Sequence, residues 1–186
     1  MKFVVNSNTL LKELQKLNGV ISSNNTLPIL DNFLFKINNG KMSIIASDLE
    51  TTMISLIDVE SDVNGNICIP AKILIDTLKT FANQPLTFRV DLTTFAVEMS
   101  SEQGNYKLAG QNSEEFPKIP EIGSSDSVEI HGSALVNAIN KTLFASGNDE
   151  LRPVMSGMFC EISDVGTTFV ATDAHKLVKH VRTDIQ

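Results

Sequence analysis

The side chains able to do chemistry in this chain are few and scattered. Asp173 and His175 lie two residues apart, and a carboxylate can orient a histidine that acts as a general base. A strand, however, places residues two apart on one side without making them a dyad. No nucleophile motif, P-loop, glycine-rich dinucleotide turn or metal-spaced cluster accompanies the pair. His131 and His180 have no companion in the sequence either. Cys68 and Cys160 each sit inside an apolar run, far apart and without a Cys-x-x-Cys spacing, so they read as two buried, reduced thiols rather than zinc ligands. The residues therefore predict no catalytic group, no metal and no cofactor. An enzyme built on Asp173 and His175 is the rival reading.

What remains is charge. The 186 residues carry 15 Lys+Arg against 22 Asp+Glu, a formal net charge of −7. An evenly acidic surface would argue against nucleic acid, because binding phosphates needs cations. The cations are not evenly spread. Lys12 and Lys16 stand against Glu13, Lys72 and Lys79 against Asp76, and Lys141 stands beside Asn137 and Asn140 with no acid. Each of these clusters falls on a predicted helix, while the acids fall mainly in turns, edge strands and a linker. Helices sharing one side would make that side weakly basic, suited to sequence-independent, salt-sensitive contact with a phosphate backbone. Ordinary solvated helix faces would show the same pattern.

The elements that must position these groups follow from periodicity. Residues 2–6 read as a strand, and a helix follows over about 8–20, with Asn8 or Thr9 as N-cap and a stripe of Leu10, Leu14, Leu17 and Ile21. Residues 32–38 and 42–47 form a hairpin around Asn38-Asn39-Gly40, and 52–59 continues the sheet. After the turn Asn64-Gly65 and the run Ile67-Cys68-Ile69, a second helix is expected over about 71–83 with Leu74, Leu78 and Phe81 inward. Strands near 86–91, 94–100 and 105–110 follow. Glu114–Ser127, with Pro117, Pro120, Gly123 and three serines, reads as a linker. A strand at 127–131, a helix over 133–146 and a hairpin turning at Asp164-Val165-Gly166 restart the pattern. Hydrophobic content of 42% fits a globular protein with a real core, and no run of about 18 apolar residues exists to span a membrane. The N-terminus lacks a secretory signal, so a cytoplasmic protein is expected.

The chain also repeats itself. Leu27-Pro28-Ile29-Leu30 and Arg152-Pro153-Val154-Met155 are 125 residues apart, and at that offset residues 9–57 match their counterparts without a gap. Leu10, Leu11 and Leu14 fall on Leu135, Val136 and Ile139; Ala46-Ser47-Asp48 falls on Ala171-Thr172-Asp173. Identities are few, but apolar positions match apolar positions through turns as well as strands. One α+β unit used twice explains this, with mostly antiparallel sheet and helices on it. The second copy stops soon after Val181, so it is expected to be incomplete.

Several segments, taken together, resemble one family. These are Met1-Lys2-Phe3, Leu10-Leu11-Lys12, Thr26-Leu27-Pro28-Ile29-Leu30, Ala46-Ser47-Asp48-Leu49-Glu50, Pro70-Ala71-Lys72, Phe116-Pro117 and Ala171-Thr172-Asp173-Ala174-His175-Lys176-Leu177. The chain resembles, along its whole length, the beta subunit of bacterial DNA polymerase III, the replicative sliding clamp. The resemblance implies three-domain chains with a DNA-clamp fold, paired head to tail as a homodimeric ring whose helices line the hole. Residues 1–122 would be domain one, residues 123–186 the N-terminal part of domain two, and domain three would be absent. The implied function is non-catalytic. The ring encircles double-stranded DNA and tethers DNA polymerase, clamp loader and repair proteins through short motifs. A domain that binds peptide motifs without encircling DNA is the alternative.

Three sites carry over by resemblance. A protein-binding pocket maps to Arg152, Met155, Thr172, Ala174, His175, Lys176 and Leu177. The DNA-facing set maps to Lys12, Lys72, Lys79 and Lys141. The ring-closing surface maps to the strand bearing Tyr106 and Leu108. This chain departs from the family at Ala174, where glycine is usual, and at Lys176, where arginine is frequent. A basic residue common in the loop before the Leu-Pro segment is replaced by Asn24, and Asp149 and Glu150 precede Arg152. Weaker or shifted DNA contact is expected in those loops.

Overall fold

A computed structural model describes residues 1–21, 25, 27–61, 63–119, 128–149 and 151–184. Asn24, Thr26, Glu150, the 120–127 part of the expected linker and the 122/123 division lie outside the described residues. Contacts divide the chain into two compact units, Met1–Glu121 and Ile122–Gln186.

Unit 1 opens with β1 (Lys2–Asn6) and α1 (Ser7–Leu17). The cap of α1 is Asn6, not Asn8 or Thr9: its Oδ1 accepts from the backbone N–H of Asn8 at 3.0 Å and of Thr9 at 3.1 Å. Both residues named from the sequence are donors to the cap, within the first turn of the helix. Leu10, Leu14 and Leu17 form the buried stripe, and the helix ends at Leu17, before Asn18-Gly19, rather than near residue 20. Then come β2 (Asn32–Asn38), β3 (Lys41–Ser47), β4 (Thr52–Asp58), the two-residue β5 (Glu60–Ser61) and β6 (Gly65–Pro70). The β2–β3 turn is tight because Asn39 and Gly40 both adopt positive φ, 49° and 75°, the geometry that suits the twist of a two-residue hairpin. Next, α2 (Ala71–Leu78) is shorter than the 71–83 expected. The helix stops at Lys79, and Phe81 reaches the core from the following turn. Strands β7 (Pro85–Val90), β8 (Ala96–Ser101) and β9 (Gly104–Ala109) complete the set.

These strands build two antiparallel sheets, β5-β1-β7-β8-β9 and β4-β3-β2-β6. Both sheets and both helices share one core, in which Phe3 stacks on Phe88 with ring centroids 4.8 Å apart and meets Phe35 edge-on at 6.5 Å. Because side chains alternate along a strand, Phe33, Phe35 and Ile37 of β2 face this core while Leu34 lies in a second cluster with Ile29, Leu30, Ile45, Cys68 and Phe116. That cluster corrects the linker reading. Residues 113–119 begin with a 3-10 turn at Ser113–Glu115, and Phe116 is buried with Ile119 packed beside it. We call Phe116–Ile119 the strap.

Unit 2 contains α3 (Gly132–Thr142), β10 (Phe159–Ser163), β11 (Gly166–Thr172) and β12 (Leu177–Arg182), with sheet order β10-β11-β12. The described residues 128–131 are not a strand, contrary to expectation. The helix expected to reach residue 146 tightens into a 3-10 turn over Leu143–Ala145, where Thr142 returns its Oγ1–H to the Ala138 carbonyl at 2.8 Å. The core is small: Ala138 and Phe169 are fully buried, with Ile130, Ala134, Leu135 and Met158 against them. Cys160 is exposed, not buried as its apolar neighbours suggest: among the described residues nothing covers β10, whose residues are all exposed. Cys68 is buried although β6, like β10, ends its sheet, because it lies in the cluster with Leu34, Ile45 and Phe116.

The duplication is visible element by element. At the 125-residue offset α1 falls on α3 and β3 on β11 with identical bounds. The 3-10 turns Pro28–Asp31 and Pro153–Ser156 also coincide, each opened by its proline.

Candidate functional site

The turn after β11 carries most of the residues singled out for a pocket. Asp173 Oδ1 accepts from the backbone N–H of His175 at 3.0 Å and of Lys176 at 2.8 Å, and its Oδ2 accepts from Lys176 Nζ at 2.6 Å. Thr172 Oγ1 donates to the Lys176 carbonyl at 2.7 Å and accepts from the Ala174 N–H at 3.1 Å. The Lys176 ammonium, with the two N–H donors, holds the Asp173 carboxyl well below the usual carboxylate range. The carboxylate is thus committed to closing the turn through the main chain of His175. Its imidazole is not the group bonded, so the dyad geometry required by the enzyme reading is not formed.

The same turn exists in unit 1. Asp48 Oδ1 accepts from the N–H of Glu50 at 3.0 Å and of Thr51, and Ser47 Oγ accepts from the N–H of Leu49 at 3.2 Å. The strap lies against this first copy. A small cavity of about 60 Å³ is enclosed by Ser47, Leu49 and Thr52 on one side and Phe116–Ile119 on the other. The offset maps Ser47, Leu49 and Thr52 onto Thr172, Ala174 and Leu177. Among the described residues of unit 2, Leu177 is 65% exposed, Ala174 and His175 are exposed, and Met155 and Thr172 are half-buried. Arg152 is exposed, with its Nε donating to Asp149 Oδ2 at 2.7 Å. The seven residues therefore come from the Pro153–Ser156 turn region, the end of β11, the Asp173 turn and the start of β12.

The lysines are placed as follows. α1 packs against α2, and Lys12, Lys72 and Lys79 are all exposed, as is Lys141 on α3. Lys16 is tied to Glu13 at 2.7 Å and Lys79 to Asp76 at 3.1 Å. Among the described residues Lys12, Lys72 and Lys141 make no ion pair. Glu13 also accepts from Ser55 Oγ of β4 at 2.7 Å, which together with Lys16 lowers its carboxyl below the ordinary value.

Tyr106 and Leu108 share one face of β9, as alternation requires, and both are half-buried against the unit 1 core. The Tyr106 ring meets Phe81 edge-on at 5.1 Å. These side chains are partly used by their own unit. What β9 offers outward is its backbone edge, since it ends its sheet. Of the remaining histidines, His131 has a neighbour that the sequence did not suggest, its Nδ1 contacting Ser133 Oγ at 3.0 Å, whereas His180 Nε2 is buried without a hydrogen-bond partner among the described residues. No group of three or more His, Cys, Asp or Glu residues able to hold a metal occurs among the described residues. No helix there is long and apolar enough to cross a membrane.

Sequence reasoning missed the strap. The Phe116-Pro117 pair was the one available signal.

Comparison with known proteins places both units. Residues 1–120 match the DNA polymerase III beta subunit, N-terminal domain, and residues 129–184 match its central domain. A Vibrio cholerae protein named beta sliding clamp is 30% identical over 178 residues, covering 95% of this chain and 48% of that protein. The crystal structure of the DNA polymerase III subunit beta from Pseudomonas aeruginosa superposes with a TM-score of 0.89 at 28% identity, covering 100% of this chain and 51% of that one. The DNA polymerase sliding clamp of Bacillus subtilis gives 0.93 at 24% identity, again over 100% of this chain and 51% of that one, which speaks to the fold. The chain spans about half the length of the relatives it matches.

Proposed function

Because the chain belongs to the DNA polymerase III beta subunit family, we propose that it contributes domain one (residues 1–122) and part of domain two (from residue 123) to a sliding clamp. The clamp is a non-catalytic, cytoplasmic ring that encircles duplex DNA and confers processivity on the replicative polymerase. The observation that carries this reading is the internal duplication. A helix, a proline-led 3-10 turn and a three-stranded sheet recur at a fixed offset, with exposed Lys12 and Lys141 on equivalent helices. A ring is built by repeating such a unit about a hole, and a weakly cationic helical face suits mobile contact with phosphates. In this reading Lys12, Lys72, Lys79 and Lys141 face DNA, with Lys79 weakened by Asp76. The β9 edge with Tyr106 and Leu108 closes a head-to-tail homodimer. The turn at Thr172–Leu177, with Arg152 and Met155, receives short motifs of polymerase, clamp loader and repair proteins.

The test is topological. The full-length protein is loaded onto nicked circular DNA with its loader, and the circle is then linearised. A ring slides off the ends. Retention on the linear DNA, or failure to load, overturns the reading in favour of a peptide-binding domain that does not encircle DNA.

A further inference from the structure

Two helix lysines of unit 1 are paired with acids three residues away, but the two pairs are built differently. The Asp76 side chain is 58% exposed, and among the described residues it bonds Lys79 alone, at 3.1 Å. The Glu13 side chain is 18% exposed and is held at both oxygens. Its Oε1 accepts from Lys16 Nζ at 2.7 Å, and its Oε2 accepts from Ser55 Oγ at 2.7 Å, on the strand β4 against which α1 packs. An exposed pair such as Asp76–Lys79 gains little over two solvated ions, so an arriving phosphate can displace the acid. A carboxylate fixed by a hydroxyl from a neighbouring strand has already given up its freedom and stays beside its lysine.

The repeat carries the same lysine without this arrangement. At the 125-residue offset Lys16 falls on Lys141, Glu13 on Ala138 and Ser55 on His180. The cation is kept on α3, while the acid and its hydroxyl partner are both replaced by residues of another type. On α1 Lys16 lies one turn beyond Lys12, so the two share a face of the helix.

We propose that Glu13, positioned by Ser55, holds Lys16 away from the phosphate backbone and thereby limits how firmly unit 1 grips DNA. Lys16 is then a further DNA-facing lysine kept out of use, and Glu13 and Ser55 are positioning residues that act through it. The proposal rests on the clamp reading, in which α1 faces DNA. A ring that slides must break each phosphate contact in order to move, and every added contact steepens the dependence of binding on salt. Cancelling one lysine at a fixed position keeps contact loose without removing the cation from the helix.

The experiment uses the full-length protein and a short, fluorescently labelled linear duplex, whose open ends let a ring thread on and off until binding reaches equilibrium. Affinity is followed by anisotropy over a series of salt concentrations. Glu13→Gln keeps an oxygen that accepts from Ser55 but removes the charge that holds Lys16. The slope of log affinity against log salt is expected to steepen by about 0.9, the value of one phosphate contact. The advantage of the variant over wild type should then shrink about 3.5-fold between about 50 mM and about 200 mM salt. Adding Lys16→Gln to Glu13→Gln is expected to restore the wild-type slope. Asp76→Asn is expected to leave the slope as it is, because the exposed Asp76 already yields Lys79. An unchanged slope in Glu13→Gln overturns the proposal, as does a steepening that survives Lys16→Gln. An equal steepening in Asp76→Asn also overturns it, since any nearby acid would then act by bulk charge alone. Failure of the clamp reading shows elsewhere, in wild-type protein that does not slide from linearised circles, whereas the Glu13 comparison can fail in a protein that slides normally.

Discussion

Leu49 and Ala174, 125 residues apart, occupy the same left-handed conformation, with φ of 81° and 74°. Each follows an aspartate whose Oδ1 accepts from the N–H groups two and three residues further on. The turn is thus a conserved piece of geometry between the two copies of one repeat, and it is strained in both, since L-residues reach this region at a cost of about 1–2 kcal/mol. Glycine avoids that cost but loses about 0.5–1 kcal/mol through a freer unfolded chain. Ala174→Gly is therefore expected to be neutral or to stabilise by up to about 1 kcal/mol. The same exchange at Ala134, inside α3, should destabilise by about 1 kcal/mol. Urea unfolding of the two variants decides it; equal losses would show that the turn is not strained.

Asp173 makes the turn sensitive to acid. Its folded carboxyl lies below the unfolded value because Lys176 Nζ and the N–H groups of Lys176 and His175 favour the charged form. A depressed carboxyl contributes stability that is fully present above its unfolded pKa and lost as pH falls through the folded one. Asp173→Asn keeps an oxygen acceptor but removes the charge facing Lys176. The stability gap between wild type and this variant should be open at about pH 7 and narrow from about pH 4 downward. A gap of constant size across that range would assign the contribution to packing.

The first unit was largely readable because its signals are local and redundant. Leu10, Leu14 and Leu17 mark α1 by spacing, and Asn39-Gly40 marks a hairpin by backbone preference. The ion pairs Glu13–Lys16 and Asp76–Lys79 are also local, three residues apart, and cut two lysines from the simple charge picture. The strap was not readable. Phe116-Pro117-Lys118-Ile119 has no periodicity, and its role depends on a sheet face assembled from β2, β3 and β6, far away in sequence. Cys160 was misjudged for the same reason: burial of a strand depends on what packs on its faces, and among the described residues β10 is exposed along its length whereas Cys68 is covered by the cluster with Phe116. In the candidate site, Asp173 and His175 drew attention as chemistry, but their spacing is that of an aspartate-capped turn, and Asp48 already repeats it.

The two thiols should separate cleanly in reactivity. Burial, with a smaller contribution from the charge of Glu115, pushes Cys68 up to about 12. At about pH 8 only about one molecule in ten thousand would carry the thiolate there. Cys160 is exposed on β10. A thiol-disulfide reagent should therefore titrate one group per native chain and a second only on denaturation, and Cys160→Ser should abolish the native reaction. Two fast-reacting thiols would mean that the cluster around Leu34, Cys68 and Phe116 opens readily.

Leu177 tests the proposed pocket without confounding it with stability. Its side chain is 65% exposed at the start of β12, so Leu177→Asp should change unfolding stability by no more than about 0.5 kcal/mol. In the full-length protein, however, an apolar anchor of a bound motif would meet a carboxylate in place of an isobutyl group. Losing a central anchor contact costs about 2–4 kcal/mol, or roughly thirty- to thousandfold in affinity. Isothermal titration with a clamp-motif peptide should thus show binding lost in Leu177→Asp and retained in Val136→Asp, whose residue is exposed on α3. Affinity unchanged by Leu177→Asp would remove this residue from the site and leave Arg152, Met155 and Thr172 to account for binding.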